Sequence, residues 1–284
     1  MEFAGNLWRI CKSDKSAMVG GVVLLVYAFV AVFGRMLVHL SSVQNPLLAY
    51  LGPSLRYPLG TDFFGQSVLG EVIVGTRPVL EVGILAAVMV SFIGVIIGLV
   101  SGYLGGMIDG LLMRITDVFL TIPGLPLVII LAAVVHSANP LFLAGIISLT
   151  GWAGLARAVR SQAMSLRSAD FIEAVKVQGL PLRHVVGREL LPNVGAYVAI
   201  NFLLAVTGAI YAEVGLFLLG VAPMTGTNWG IMINLAVANG ALYTSRSMLS
   251  LFAPMGAIVF LQVALVFFAR ALDQLFNPRL RVQR

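Results

Sequence analysis

Three sets of polar residues interrupt an otherwise apolar chain, and each allows a different chemistry. Glu213, in "YAEVGLFLLGV", sits inside an apolar run. A carboxylate at membrane depth is costly and marks a functional position by default. It can line a pathway, hydrogen-bond between helices, or carry a proton in a cation-coupled carrier. Asp109, Arg114 and Asp117 form a second set, in which Arg114 can pair with either carboxylate at neighbouring helical spacing. That set reads as solvated loop charge or as a gate. The third set is Asp170, Glu173 and Lys176 in "DFIEAVKVQGLP", with arginines on both sides. What is missing narrows the field as much. No nucleophile and base can be placed together on one membrane face, so catalysis has no support. No Gly-x-x-x-x-Gly-Lys-Ser/Thr phosphate loop occurs, so the chain does not power itself by that route. Three scattered histidines and a single cysteine, Cys11, give neither metal-ligand spacing nor an intrachain disulfide.

The elements that must hold these residues are transmembrane helices. Of 284 residues, 59% are hydrophobic and 11% charged, against about 25% charged in a soluble domain. Mean hydropathy is +0.98. A net charge of +6 would in a soluble protein suggest nucleic acid; here basic residues mark cytoplasmic loops instead, and no nucleic-acid partner is expected. A crossing helix needs about 20 apolar residues. The runs that qualify are 18–40, 82–108, two spans within the uncharged stretch 118–156, 190–212 continuing past Glu213, and 247–269. The stretch 118–156 is too long for one helix, and "HSANP" at 136–140 supplies a turn. The first run follows Arg9, Lys12 and Lys15 as a signal peptide would, but it is long and lacks a small-x-small cleavage site, so it reads as an uncleaved span.

Six spans put both termini on one side. With the N-terminus inside, 14 of the 18 Lys and Arg are cytoplasmic, leaving Arg35, Arg56, Arg77 and Arg246 outside. The expected organisation is therefore a cytoplasmic segment 1–17, a first span 18–40, an extracytoplasmic loop 41–78 and a core domain 79–284. Within the core lie a cytoplasmic loop 157–192, an outer segment 222–245 and a cytoplasmic tail 270–284. The apolar middle of 222–245 reads as a short re-entrant or interfacial helix. Trp229 and Trp8 read as interfacial anchors. Gly94, Gly98 and Gly102 recur every four residues and predict a close helix-packing face.

The loop 157–192 then reads as a shaped object. Asp170 can cap a helix, with Glu173 closing a capping box. Phe171, Ala174, Val175 and Gln178 share a face. Gly179 ends the helix, and Pro181 opens a second one running to Pro192. Ala174 is small enough for another surface to approach the backbone. One reading is a basic amphipathic connector resting on anionic lipid. The other is a docking element that fills a groove on a soluble partner. A lipid-resting helix needs no sharp break, which favours docking.

"EAVKVQG" followed by "LLPN" resembles the EAA loop of ABC-importer permeases, matching at Glu173, Ala174, Gly179, Leu190 and Pro192, with Val175 where the family has a second Ala. "YPLGTDFFGQSVLGEVIVGTRPVLEVG", "GYLGGMIDGLLMRITDVFLTIP", "YAEVGLFLLGV" and "TGTNWGIMI" are similar, in order, to further blocks of the C-type permease subunits of dipeptide and oligopeptide importers. The first block departs from the family at Tyr57 and at Gln66-Ser67. The resemblance implies an all-α type I permease fold with six transmembrane helices and a cytoplasmic coupling helix. Its ATPase-coupling residues would be Asp170, Glu173, Ala174, Lys176, Gly179, Arg183 and Pro192. It implies a plasma (inner) membrane heterodimer with a second homologous permease, two ATP-binding subunits that use ATP and Mg, and an extracytoplasmic substrate-binding protein. No cofactor is expected on this chain itself. Di- and oligopeptides are the family's main cargo, with oligosaccharides or nickel chelates as the alternative. A proton-coupled carrier using Glu213, or a membrane scaffold without a pathway, are the readings from other classes.

Overall fold

The computed structural model describes residues 15–40 and 45–276, with no side-chain description for Lys176, Leu275 and Phe276. Trp8, Cys11, Arg9, Lys12 and the basic tail from Arg279 lie outside the described residues. The described residues form helices and connecting turns with no β-strand. We number the helices α1 (Lys15–Leu37), α2 (Val68–Leu104), α3 (Gly106–Thr121), α4 (Gly124–Val135), α5 (Pro140–Leu166), α6 (Asp170–Val177), α7 (Leu182–Leu218), α8 (Trp229–Ala238) and α9 (Met248–Phe276). Five of them, α1, α2, α5, α7 and α9, are long and apolar enough to cross a membrane. The pair α3 and α4, bent by 82°, makes a sixth span when taken together. The chain is a multi-pass membrane protein.

Several boundaries differ from those expected, for identifiable reasons. Helix α2 starts at Val68 inside the expected loop 41–78, because Ser67 caps it by accepting from the Gly70 amide at 3.3 Å. At 1.5 Å per residue its 37 residues reach about 55 Å, well beyond a hydrocarbon core of about 30 Å. It therefore carries Glu71, Arg77 and Glu81 on a helical extension and not in a loop. The expected second span, 82–108, breaks at Gly105, whose φ of +66° makes the corner into α3. The expected third span is not straight from Val118. Ile122 and Pro123 leave helical geometry, since Pro123 both fixes its own φ and disfavours helix at the residue before it. Helix α5 opens at Pro140, capped by Asn139 through the Leu141 amide at 2.9 Å, and continues to Leu166, past Ala156.

Small residues let the spans close on one another. Lipid gives no hydrophobic drive between helices, so contact area and hydrogen bonds decide the packing. Gly94, Gly98 and Gly102 lie against α5. A Cβ at Gly98 would come within 2.6 Å of the Ala156 carbonyl oxygen and 2.8 Å of Val159 Cβ. The glycine row thus packs within the subunit. Gly83 receives Ile210 of α7, and Gly20 of α1 receives Phe267 of α9. The segment between α1 and α2 folds on Thr61 and Asp62. Thr61 Oγ1 accepts from the Leu51 amide at 2.8 Å and donates to the Leu48 carbonyl at 2.5 Å. Asp62 accepts from the amides of Phe64 and Gln66 at 3.0 and 2.6 Å. Burial pushes the Asp62 carboxyl above its ordinary range, against the opposing pull of those amides.

Candidate functional site

Polar groups gather at both ends of the bundle. At the end where α2 meets α3, Asp109 receives two bonds from Arg160, Nε to Oδ1 and Nη2 to Oδ2, each 2.5 Å, and a further one from the Ser101 hydroxyl. Asp117 receives Arg157 Nη2 at 2.5 Å. Both cations come from α5; among the described residues Arg114, which could have paired with either carboxylate, pairs with neither and is exposed. The reason is geometric: α3 runs antiparallel along α5, and Phe119 packs edge-on to Trp152 with ring centroids 5.1 Å apart. The Asp109 pair is sheltered, with side chains 28% and 15% exposed, whereas the Asp117 pair is 56% exposed on both sides. Exposed pairs contribute about 0–1 kcal/mol, so Asp109–Arg160 is the stronger clamp.

At the same end lies the charged segment singled out from the sequence. Helix α6 starts at Asp170, and the Ala169 carbonyl accepts from the amides of Ile172 and Glu173 at 2.9 and 3.1 Å. Asp170 is thus the first residue inside the helix and not its cap. Asp170 and Glu173 act on the first turn's exposed amides and dipole. The inward stripe also differs from the expected face. Ile172 is 0% and Val175 8% exposed, and both join a core with Leu99 of α2, Leu155 and Val159 of α5, and Val185, Leu190 and Val194 of α7. Phe171, Ala174, Val177 and Gln178 remain on the outside, Val177 at 89% exposure. Val175 shared no face with Ala174, because a helix this short has one anchoring stripe and the larger pair Ile172–Val175 takes it. The departure from Ala to Val therefore falls against the chain's own interior. Gly179 takes φ +66°, with nothing near its missing Cβ, and turns the chain into α7. Arg183 and Pro192 are exposed on α7. Pro192 does not end the second helix, which runs on into the span.

The opposite end is organised around Glu213. Its side chain is fully buried, and Oε1 accepts from Asn228 Nδ2 at 2.7 Å. The other oxygen, Oε2, has no hydrogen bond among the described residues. Asn228 in turn caps α8, its Oδ1 accepting from the Gly230 amide at 2.8 Å. Trp229 is 0% exposed, donates from Nε1 to the Val72 carbonyl at 3.0 Å, and meets Tyr27 edge-on at 6.0 Å. It is a buried wedge between helices and not an interfacial anchor: Gly75 on α2 leaves room for its ring, and Gly230 lets α8 lie against Val214 and Phe217. Asn228 was passed over in the sequence. Its signal was an Asn immediately before an apolar run, the ordinary mark of a helix cap. One interhelical hydrogen bond gives about 0.6–2 kcal/mol in a membrane, whereas a carboxylate at depth costs about 3. Asn228 alone does not offset Glu213.

Between the two ends lies an apolar cavity of about 240 Å³. It is lined by residues of α2, α4, α5 and α7, among them Val90, Gly124, Gly151, Gly208, Ala209 and Ala212. Glu213 is not among its lining residues.

Comparison with known proteins agrees with this architecture. The family described as binding-protein-dependent transport system inner membrane component matches residues 94–282. The N-terminal TM domain of oligopeptide transport permease C matches residues 3–58. The dipeptide transport system permease protein DppC of Bacillus subtilis (strain 168) is 34% identical over 238 residues, 82% of this chain and 73% of that protein. The oligopeptide transport system permease protein OppC of the same organism is 31% identical over 282 residues, covering 97% and 91%. OppC of Lactococcus lactis subsp. cremoris (strain SK11) is 29% identical over 273 residues, covering 94% and 92%. With matches that run from the middle of α2 through α9 and relatives aligned over most of both lengths, the chain belongs to the family of binding-protein-dependent transport system inner membrane components.

Proposed function

We propose that this chain is one of two permease subunits of an ATP-driven importer, forming half of a pathway for di- and oligopeptides handed over by an extracytoplasmic binding protein. ATP hydrolysis, with its Mg, belongs to two separate ATPase chains. Both termini and helix α6 face the cytoplasm of the plasma (inner) membrane, as the distribution of Lys and Arg favours. The observation that carries the reading is the division of labour across α6. One side, Ile172 and Val175, is fixed in the packed core of α2, α5 and α7, while Phe171, Ala174, Val177 and Gln178 stand open. A helix anchored this way moves as one body with the spans it touches. An outward apolar face with a small residue at its centre suits a groove on a soluble partner. Exposed Glu173 and Asp170 supply charge at the rim. Peptide as cargo is supported by the names of the relatives, which are dipeptide and oligopeptide permeases.

The test is reconstitution of the assembled transporter in proteoliposomes. Uptake of labelled di- or oligopeptide is expected to require ATP, the ATPase chains and the binding protein together. Glu173→Lys is expected to leave insertion intact and cut uptake at least tenfold. Uptake driven by a proton gradient without the ATPase chains would replace this reading with the carrier reading. Retention of oligosaccharide or nickel chelate by the binding protein would change the cargo only.

A further inference from the structure

The segment joining α6 to its span is wound differently from the rest of the bundle. Val185–Leu190, inside α7, is a π-helix, and the Leu191 amide donates to the Val186 carbonyl five residues back. Burial follows the same period. Val185 and Leu190 are both 0% exposed, while Gly187 and Arg188 between them face outward. In an α-helix, residues five apart point about 140° away from each other; the wider π turn brings them to one side. An α-helical continuation from Val185 would instead turn Arg188 and Glu189, at i+3 and i+4, toward the core beneath α2 and α5. A third observation has the same spacing: His184 Nε2 stands 3.5 Å from Glu189 Oε1. Pro192 supplies the cause on the C-terminal side. It has no N–H to return to the ladder, and in an unbroken α-helix its ring would strike the Arg188 carbonyl. Asn193 meets one carbonyl in this region, Nδ2 donating to Glu189 O at 2.7 Å.

We propose that the π turn Val185–Leu190, kept in register by the His184–Glu189 pair and by Pro192, sets the rotational angle at which helix α6 is presented to its soluble partner. This makes His184, Glu189 and Pro192 positioning residues for coupling. The inference rests on the reading of α6 as the docking helix. A one-residue change of register, from π to α, would turn the segment before it by about 100° relative to the span. That turn would strain the seat of Ile172 and Val175 against α2 and α5 and draw the outward face of α6 off its groove, with the sequence of α6 itself unchanged.

Two measurements on the full transporter test this. The first is a copper ruler on register. Native His184 is combined with Glu189→His, at spacing five, or with Arg188→His, at spacing four, and Cu²⁺ affinity is measured against the unaltered protein. The π turn is expected to give at least tenfold tighter Cu²⁺ binding with Glu189→His than with Arg188→His. Pro192 and the buried Val185 and Leu190 stay intact in both variants and hold the turn, so the reverse order overturns the proposal. The second is the ratio of ATP hydrolysed to peptide imported. His184→Ala is expected to raise that ratio at least threefold, and His184→Lys, which keeps an N–H donor opposite Glu189, to restore it. A purely structural role would lower both rates together and leave the ratio unchanged, and that result overturns the proposal. Pro192→Ala is expected to raise the ratio further; should it fail to assemble, the His184 pair decides alone. A coupling defect in Glu173→Lys with an unchanged ratio in His184→Ala removes the register proposal but leaves the docking reading. A normal ratio and normal uptake in Glu173→Lys removes the docking reading itself.

Discussion

Glu213 and Asn228 show how a single polar contact organises an apolar region. The carboxylate is fully buried with one donor, and that donor also caps α8. Asn228→Ala removes both bonds at once and leaves the carboxylate alone. A buried acceptor without a partner costs about 1–3 kcal/mol, so a clear fall in thermal unfolding temperature in detergent is expected. An unchanged transition would show that the contact carries no load. Glu213→Gln keeps an acceptor for Asn228, and ATP-driven uptake is expected to survive within about twofold. Complete loss of uptake with normal ATP hydrolysis would instead point to proton coupling at Glu213. The sequence exposed Glu213 because an acid in an apolar run is conspicuous. Its partner lies 15 residues on, and no local pattern says that α8 folds back to bring it there.

At the scale of elements, periodicity read the spans well and their ends poorly. Apolar runs mark where lipid is, but a helix need not stop at the hydrocarbon edge, so α2 and α5 run past the expected limits into charged sequence. The break at Ile122–Pro123 was hidden because both sides of it are apolar. The inward face of α6 was misassigned because eight residues carry too few turns for a periodic pattern to outvote side-chain size. The glycine row, in contrast, was legible: spacing of four on an apolar helix has few uses other than close packing. It predicts a sharp asymmetry between α2 and α5. Gly98→Leu would drive a side chain into the Ala156 carbonyl and Val159, and the folded fraction on size-exclusion chromatography is expected to collapse. Gly145→Leu and Gly154→Leu on α5, where nothing lies within 4 Å of the added Cβ, are expected to remain monodisperse. Equal behaviour of the three variants would contradict the packing described.

At the scale of the molecule, the bundle separates two tasks. The end bearing α8 is a closed junction of Trp229, Asn228 and Glu213, while the end bearing α6 presents an open face on a rigid support. The polar interval "DFIEAVKVQGLP" lies at the second end, which gives its charges a reason to exist in a lipid-embedded chain. The most direct measurement of that idea is cross-linking at Ala174, which is exposed at the centre of the open face. Cys11 is the only cysteine, so Cys11→Ser with Ala174→Cys leaves one reactive thiol. In the assembled transporter, a short thiol-directed photocross-linker at that position is expected to capture the ATPase chain, with a yield that changes when ATP is added. Capture of lipid alone, with no ATPase adduct in either nucleotide state, would contradict the coupling account.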